Sequence, residues 1–419
     1  VNTAVLAGAV AVSAIAIAVP LAWLTSRTDL PGRAFWSAAA SLPLVIPSYI
    51  GAVVMVAAFG PRGMLQSALA PFGVERLPSI YGFTPAAAAG GVLTVLYTLG
   101  DFGVVTLLRY DAFTRAIYVQ YRSALDRSSA ALLAVLLVAI SIVVLVIEMR
   151  ARGNATIHRL GSGAGRRGRP VALGYARIPA VLFCALVVGF ALVLPMAILT
   201  AWLLRSVGAG ADLSGLGAAT IHSLTLGGWT ALVATVCALP IAILLVRFPG
   251  SGARAVERLT YLGYALPGLV VALAFVAFGA GTPVYQTLAM LVAACVVRFL
   301  PEAISSTRAA LLQVSPRLEE AARGLGRSQV GAVASVTVPL ARPGILAGAA
   351  LVLLTAMKEL PVTLLLSPTG WDTLAVEVWT AANDAAYGEA AAPALILIAV
   401  AAVPMLLLAP RDRIRELAP

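Results

Sequence analysis

Apolar residues gather into long runs that are separated by short polar stretches. Ten of these runs come close to or exceed the roughly 20 residues that an α-helix needs to cross a bilayer, and Pro and Gly inside them are tolerated in membrane helices. The runs cover residues 4–25, 38–60, 86–108, 129–149, 173–203, 221–246, 259–280, 284–306, 343–366 and 390–410. The pattern predicts an all-α, polytopic integral membrane protein whose surroundings are the lipid bilayer.

Residues 150–172 interrupt this pattern with six arginines, no acidic residue and interleaved Gly and Ser. Such a composition is typical of a flexible linker, and arginines collect in cytoplasmic loops. We therefore predict a first half over residues 1–149, a cytoplasmic linker over 150–172 and a second half over 173–419. Residue 1 is valine and adjoins an apolar run, so we expect that the true N-terminus precedes it.

The composition of the 419 residues excludes several classes of protein. Hydrophobic residues make up 61% of the chain and charged residues 11%, whereas soluble domains carry about 25% charge. An ordinary soluble enzyme, a disordered protein and a nucleic-acid-binding protein are therefore excluded. We interpret the net charge of +11 as a sign of membrane topology, because Lys and Arg favour the cytoplasmic side.

The residues that usually carry covalent chemistry are sparse. The single lysine, Lys358, is followed by Glu359, whereas a P-loop needs Gly-Lys followed by Ser or Thr. The chain therefore cannot hydrolyse ATP through such a loop. Cysteines and histidines are too widely spaced for a disulfide framework or a zinc site; they are Cys184, Cys237, Cys295, His158 and His222. We expect no catalytic residue, no metal site and no cofactor in this chain.

An internal repeat divides the chain. At an offset of 220 residues, Pro, Arg and Gly positions coincide, in the pairs Pro20/Pro240, Arg27/Arg247, Gly32/Gly252 and Pro47/Pro267. Further along, residues 85–90 match 343–348 and Asp101 matches Glu359, at an offset of 258. The first half therefore lacks at least 38 residues near Thr84–Pro85, the difference between 258 and 220. We predict two pseudo-symmetric helical halves, the first of them incomplete.

Charge topology independently indicates a missing span. The Arg27/Arg33 loop and the linker are both expected on the cytoplasmic side, yet three apolar runs lie between them, and an odd number of crossings cannot return to the same side. The alternative is a re-entrant segment that does not cross. With an added span, residues 109–128 would lie outside despite four arginines, which speaks against it.

The most informative polar segment is 313–343. Ser315 is placed to cap a helix that begins at Pro316, with Glu319 and Glu320 in the opening turns, where the helix dipole favours acids. Gly324 and Gly326 should then interrupt the helix, and a second short helix should end at Pro339. We predict a rigid knob that faces the cytosol and docks in the groove of a partner.

This segment carries a spaced pattern: Glu320-Ala321-Ala322, then Gly326 six residues after Glu320, then the aliphatic-x-aliphatic-Pro ending Val336 to Pro339. The pattern resembles the coupling loop of binding-protein-dependent ABC importer permeases. The resemblance implies that the loop enters a cleft of an ATPase subunit, with Glu320 and Gly326 as the central contacts. The coupling residues we expect are Glu319, Glu320, Ala321, Ala322, Gly324, Gly326 and Pro339.

Two fused halves narrow the resemblance to the iron(III) permeases, which segments 99–121 and 357–379 also resemble. It implies a multi-pass subunit of the bacterial cytoplasmic membrane. A solute-binding protein would deliver the substrate, expected to be ferric iron. Two copies of an ATPase would bind ATP and Mg²⁺, so that this chain itself is not an enzyme.

Three acidic residues, one arginine and one acidic segment remain as further candidates. Asp101 and Glu359 could line a translocation pathway, because ionisable groups in membrane segments often do; the alternative is an interfacial acid near water. Glu302 follows Arg298 by four residues, which favours a pair on one helix face. The acidic segment 367–389 resembles a docking surface for the binding protein, or is an ordinary outer loop.

Three alternative functions stay open at this point. They are a permease of this class for thiamine or another small solute, an ion-coupled secondary transporter with internal repeats, and a membrane-embedded enzyme. The resemblance of 313–343 to a coupling loop speaks against the second, since an ion-driven carrier has no ATPase to dock. The scarcity of His, Cys and Asp clusters speaks against the third.

Overall fold

The computed structural model describes residues 2–61, 63–72, 74, 101–123, 128–152 and 171–408. Helices dominate these residues, so the all-α prediction is confirmed. Within the described ranges, seven helical segments are long and apolar enough to span a membrane. They are Asn2–Arg27, Ser48–Phe72, Gly174–Gly208, Leu216–Arg247, Leu288–Leu311, Gln329–Met357 and Tyr387–Met405. The chain is thus a multi-pass membrane protein.

One compact unit contains the described residues up to Gly208. Its helices are α1 (Asn2–Arg27), α2 (Arg33–Ala39), α3 (Ser48–Phe59), α4 (Met64–Leu69), α5 (Gly103–Leu107), α6 (Phe113–Ser123), α7 (Ser128–Arg152), α8 (Arg177–Val188) and α9 (Leu194–Gly208). A π-helical turn, Gly189–Val193, joins α8 to α9. Helices α8 and α9 pack against α1, α2 and α3, with Leu24 and Cys184 buried between them.

A second compact unit covers residues 209–409. Its helices are α10 (Leu216–Arg247), α11 (Ser251–Ala265), α12 (Gly268–Gly279), α13 (Leu288–Leu311), α14 (Pro316–Gly324), α15 (Gln329–Ala332), α16 (Val338–Met357), α17 (Pro361–Leu366), α18 (Leu374–Asn383) and α19 (Tyr387–Leu408). Helices α10, α13 and α16 pack against one another and form the centre of this unit.

The helices follow the sequence repeat. Helices α3 and α12 begin at Ser48 and Gly268, which are separated by the first offset of 220 residues. Helices α5 and α17 begin at Gly103 and Pro361, separated by the second offset of 258. In one unit α3 packs against α5, and in the other α12 packs against α17. The same local arrangement is therefore built twice.

Two of the predicted apolar runs, 38–60 and 259–280, are not single spans. Both are broken by the repeat-matched prolines Pro47 and Pro267, whose backbone is extended with ψ of 147° and 137°. Proline also drives the preceding residue out of the helical region, and Ile46 and Leu266 have ψ of 116° and 129°. The prediction of two continuous helices over these runs was therefore wrong, because Pro47 and Pro267 break the helix.

The end of the linker is fastened to the end of α1. Thr28 and Val171 form a β-bridge, in which the Val171 amide donates to the carbonyl of Arg27 at 2.9 Å. The Asp29 carboxylate accepts from the Leu173 amide at 2.8 Å and pairs with Arg177 at 2.7 Å. The end of α1 and the end of the linker are therefore neighbours and lie on the same side of the membrane. This is the premise from which the missing span was predicted.

Two predictions about organisation stay predictions. The boundaries 1–149, 150–172 and 173–419 come from the repeat, whereas the compact units divide after Gly208, since α8 and α9 pack with the first half. The inferred gap at Thr84–Pro85 and most of the linker lie outside the described residues.

Candidate functional site

The first helix of the 313–343 segment ends in a Schellman motif. Helix α14 begins at Pro316, with Ser315 as its N-cap residue, although the serine side chain makes no capping hydrogen bond. At the other end, the amides of Gly326 and Arg327 donate to the carbonyls of Arg323 and Ala322 at 2.9 and 3.1 Å. Gly326 has φ of +89°, a left-handed conformation that favours glycine. The predicted interruption is therefore a C-cap built on Gly326.

The second helix does not end at Pro339, so that expectation was wrong. Helix α15 starts after Ser328, whose hydroxyl accepts from the Gly331 amide at 3.1 Å. It continues through a π-helical turn, Val333–Thr337, directly into α16. Proline lacks an N–H group and its ring crowds the carbonyl four residues earlier, and the wider π turn accommodates both defects. The loop is thereby continuous with a membrane span.

Glu319 points inward from α14, and its carboxylate connects this helix to the end of α10 and to the π-helical turn. Its Oε1 atom accepts from Arg247 Nε at 2.9 Å and from Thr337 Oγ1 at 2.6 Å. Arg247 is the last residue of α10, and its Nη2 lies 2.8 Å from the same oxygen. This Nη2 also donates to the Val314 carbonyl at 3.1 Å. We call Arg247, Glu319 and Thr337 the clamp.

The clamp stays ionic although it is shielded from solvent. Only 13% of the Arg247 side chain and 15% of the Glu319 side chain are exposed. Burial raises the pKa of Glu319, but hydrogen bonds from Thr337 and Arg247 and the arginine charge outweigh it and hold this pKa below its ordinary value.

An apolar cluster next to these residues joins the same helices. Its buried members come from α10, the end of α13, the segment that joins α13 to α14, and α16; they are Ala242, Leu311, Val314 and Ala341. Helices α13 and α16 approach closely here, because a Cβ atom at Gly348 would meet Ser306 Cβ at 2.9 Å. The loop therefore rests on a closely packed helical base.

The outer surface of the loop is more apolar than the motif predicted. Among the expected coupling residues, Glu320, Ala321, Gly324, Gly326 and Pro339 are exposed, and Ala322 is half-buried. Three aliphatic side chains that the sequence reasoning did not single out are also exposed. They are Leu318 at 46%, Leu325 at 87% and Val330 at 78%. Such a surface is typical of a site that a partner protein covers.

Asp101 and Glu359 occupy equivalent positions in the structure as well as in the repeat. Asp101 Oδ1 accepts from the Val104 amide at 3.1 Å at the start of α5. Glu359 Oε1 accepts from the Val362 amide at 3.3 Å at the start of α17. Each acid thus precedes the N-cap residue of a short helix and accepts a hydrogen bond from the first turn of that helix. Their part in a translocation pathway stays a prediction.

Glu359 has a partner that helix periodicity did not indicate. Its side chain, only 6% exposed, pairs with Arg298 of α13. Glu302, which had been expected to pair with Arg298, instead accepts from Thr355 Oγ1 at 3.0 Å. The i, i+4 rule failed because these acids lie between packed helices, where tertiary neighbours outcompete the neighbour on the same helix.

Comparison with known proteins decides the family. Residues 234–410 match the family described as binding-protein-dependent transport system inner membrane component. An Fe(3+)-transport system permease protein of Haemophilus influenzae is 30% identical, over 97% of this chain and 88% of the relative. The chain belongs to the binding-protein-dependent ABC permeases.

Two further relatives place this permease among related transport subunits. A ferric transport system permease protein of Actinobacillus pleuropneumoniae is 25% identical over 75% of this chain and 49% of its own length. A permease protein of Haloferax volcanii, named for molybdenum, is 32% identical over 45% of this chain and 73% of its own length. The alignment with the Haemophilus protein spans 449 positions, more than the 419 residues here, so that relative carries segments that this permease lacks.

The acidic segment 367–389 of the permease is not a plain loop. It contains helix α18, whose N-cap residue is Thr373. The Thr373 side chain accepts a hydrogen bond from the Val376 amide in the first turn. Before it, Trp371 stacks on His222 with ring centroids 4.6 Å apart, and His222 Nδ1 lies 2.9 Å from the Asp372 carbonyl. Burial and the nearby Asp372 charge raise the pKa of Glu377. The sequence spacing of His222 did not indicate this contact.

Proposed function

We propose that this chain is the permease of an ABC importer for ferric iron in a bacterial cytoplasmic membrane. The observation that carries the substrate is the similarity over 97% of the chain to a permease named for Fe(3+) transport. A solute-binding protein would deliver iron on the outer side. Two ATPase copies, which bind ATP and Mg²⁺, would power its release into the cytoplasm.

The exposed loop surface supports the proposed docking of an ATPase. Glu320 and the C-cap at Gly326 stand beside Leu318, Leu325 and Val330 on a rigid projection that continues into α16. An apolar centre with a polar rim is the usual composition of a protein interface. In this proposal ATP binding moves the ATPases, and the loop passes that motion to the membrane spans. Transport then follows from the different stability of inward-open and outward-open states.

Docking is tested with Glu320→Ala and Gly326→Asp. Both variants should reach the membrane, yet bind the ATPase subunit more weakly and lose ATP-driven transport. The exposed Arg254, on α11, provides a control as Arg254→Gln. Normal transport with a normal ATPase response in either loop variant would contradict docking through this surface.

The substrate is tested in a strain that depends on this permease for iron. Accumulation of ⁵⁵Fe should require the permease, and excess thiamine should not compete. Thiamine uptake that depends on the permease, without ⁵⁵Fe accumulation, would favour the alternative solute.

A further inference from the structure

The clamp connects the loop to two separate spans through one carboxylate oxygen. Arg247 closes span α10, and Thr337 ends the π turn that leads into span α16. Glu319 reaches both, since its Oε1 accepts from Arg247 Nε at 2.9 Å and from Thr337 Oγ1 at 2.6 Å. A displacement of α14 therefore pulls on both spans at once.

The geometry separates Glu319 from its neighbour Glu320. Glu320 is exposed on the outer surface of α14. The Glu319 side chain is only 15% exposed and is already paired with Arg247 of the same chain. Glu319 thus binds groups within this chain, whereas Glu320 faces outward. An inward acid with charge-assisted hydrogen bonds is held rigidly, because such bonds are shorter and stronger than neutral ones.

The segment before α14 is tied to the same arginine. Arg247 Nη2 donates to the Val314 carbonyl at 3.1 Å, and the Val314 side chain is buried in the apolar cluster with Ala242 and Ala341. The loop can therefore tilt on its apolar base only if the ion pair moves with it or breaks. This makes the clamp the stiff element between loop and spans.

We infer that Glu319 and Arg247 are positioning residues that transmit the movement of the loop to spans α10 and α16, and that they do not contact the ATPase. The inference rests on the proposed docking of the loop to an ATPase. It predicts a specific defect: the ATPase still binds, but its hydrolysis no longer drives transport.

The test uses the reconstituted permease with its ATPase and binding protein. We would measure the affinity for the ATPase subunit and the ⁵⁵Fe transported per ATP hydrolysed. In Glu319→Gln and in Arg247→Gln, transport per ATP should fall about tenfold, within the range of allosteric coupling. The affinity for the ATPase should stay near that of the wild type, as it should in the Arg254→Gln control.

Two additional variants distinguish transmission from simple damage. The charge swap Arg247→Glu with Glu319→Arg restores an ion pair and should recover most of the lost coupling. Thr337→Val keeps the ion pair but removes the hydroxyl link to α16, so it should lower transport per ATP by a smaller factor. If the single charge variants do not fold, Thr337→Val and the swap still decide the question.

The outcomes separate this inference from the proposed function. If Glu320→Ala weakens ATPase binding while both charge variants keep normal transport per ATP, the clamp inference is overturned and docking stands. Equal loss of ATPase affinity in Glu319→Gln and Glu320→Ala would also overturn it, because Glu319 would then act at the interface. If Glu320→Ala leaves ATPase binding unchanged, the proposed docking itself fails.

Discussion

Gly268 should be essential for the thermal stability of the permease, because it packs directly on a buried ion pair. A Cβ atom at this position would overlap Arg298 Nη1 and lie 2.7 Å from Arg298 Cζ and 2.9 Å from Glu359 Oε1. An exposed arginine would swing away at little cost. Here only 18% of the Arg298 side chain and 6% of the Glu359 side chain are exposed, and the two are paired with each other. Gly268→Ala must therefore separate the pair or displace α12.

The cost follows from the burial of the pair. Breaking a buried ion pair by disturbing one partner costs about 3–5 kcal/mol. In a unit of this size that loss lowers Tm by roughly 10 °C. The measurement is thermal unfolding of the purified permease in detergent. Gly228 offers a matched control in α10, since nothing lies within 4 Å of the Cβ it would gain. Gly228→Ala should be neutral or stabilise by up to about 1 kcal/mol.

A second background isolates the cause. In the double variant Arg298→Met with Glu359→Gln, no charge pair remains to be disturbed, so adding Gly268→Ala should cost much less than in the wild type. Equal losses of Tm in both backgrounds, or a Gly268→Ala protein that melts like the wild type, would refute the reasoning.

Three further predictions concern ionisable groups. Asp29→Asn should speed proteolysis of the linker, because the Asp29 carboxylate holds the end of the linker through the Leu173 amide and Arg177. The same two contacts lower the pKa of Asp29. In the wild type the protection should persist above the ordinary aspartate pKa and disappear as pH falls through the lowered value. Glu377→Gln should raise Tm at pH 7 and make no difference at pH values below the ordinary glutamate pKa, since the pKa of Glu377 is raised; an unchanged Tm at pH 7 would contradict this. Glu359→Gln should lower Tm, because it removes the carboxylate charge that pairs with the buried Arg298; an unchanged Tm would argue against a stabilising role of this pair.

Local features of the chain could be predicted from the sequence. Long apolar runs predicted the spans, and Gly324 and Gly326 predicted the interrupted helix of the loop. Both follow from short-range physics: the need to satisfy backbone hydrogen bonds in lipid, and the left-handed conformation that glycine adopts at φ of +89°. The prolines at 47 and 267 carried a break signal that could have been used.

Long-range partners could not be predicted in this way. Arg298 has an acid four residues along its own helix, yet pairs with Glu359, which lies 61 residues away. Arg247 and Glu319 are 72 residues apart, and Thr337 has no motif that marks it. Pro339 also misled, because helix-breaking rules do not foresee a π turn that absorbs the proline. Each of these outcomes depends on how helices pack, which periodicity does not specify.

Uptake of ⁵⁵Fe into proteoliposomes tests the central claim most directly. The vesicles would hold the permease with its ATPase, receive iron-loaded binding protein outside, and contain either ATP or a non-hydrolysable analogue. We predict uptake only with ATP inside, and none with Gly326→Asp although the variant inserts normally. Uptake driven by an ion gradient without ATP, or uptake by Gly326→Asp at the wild-type rate, would contradict an ABC importer permease coupled through this loop.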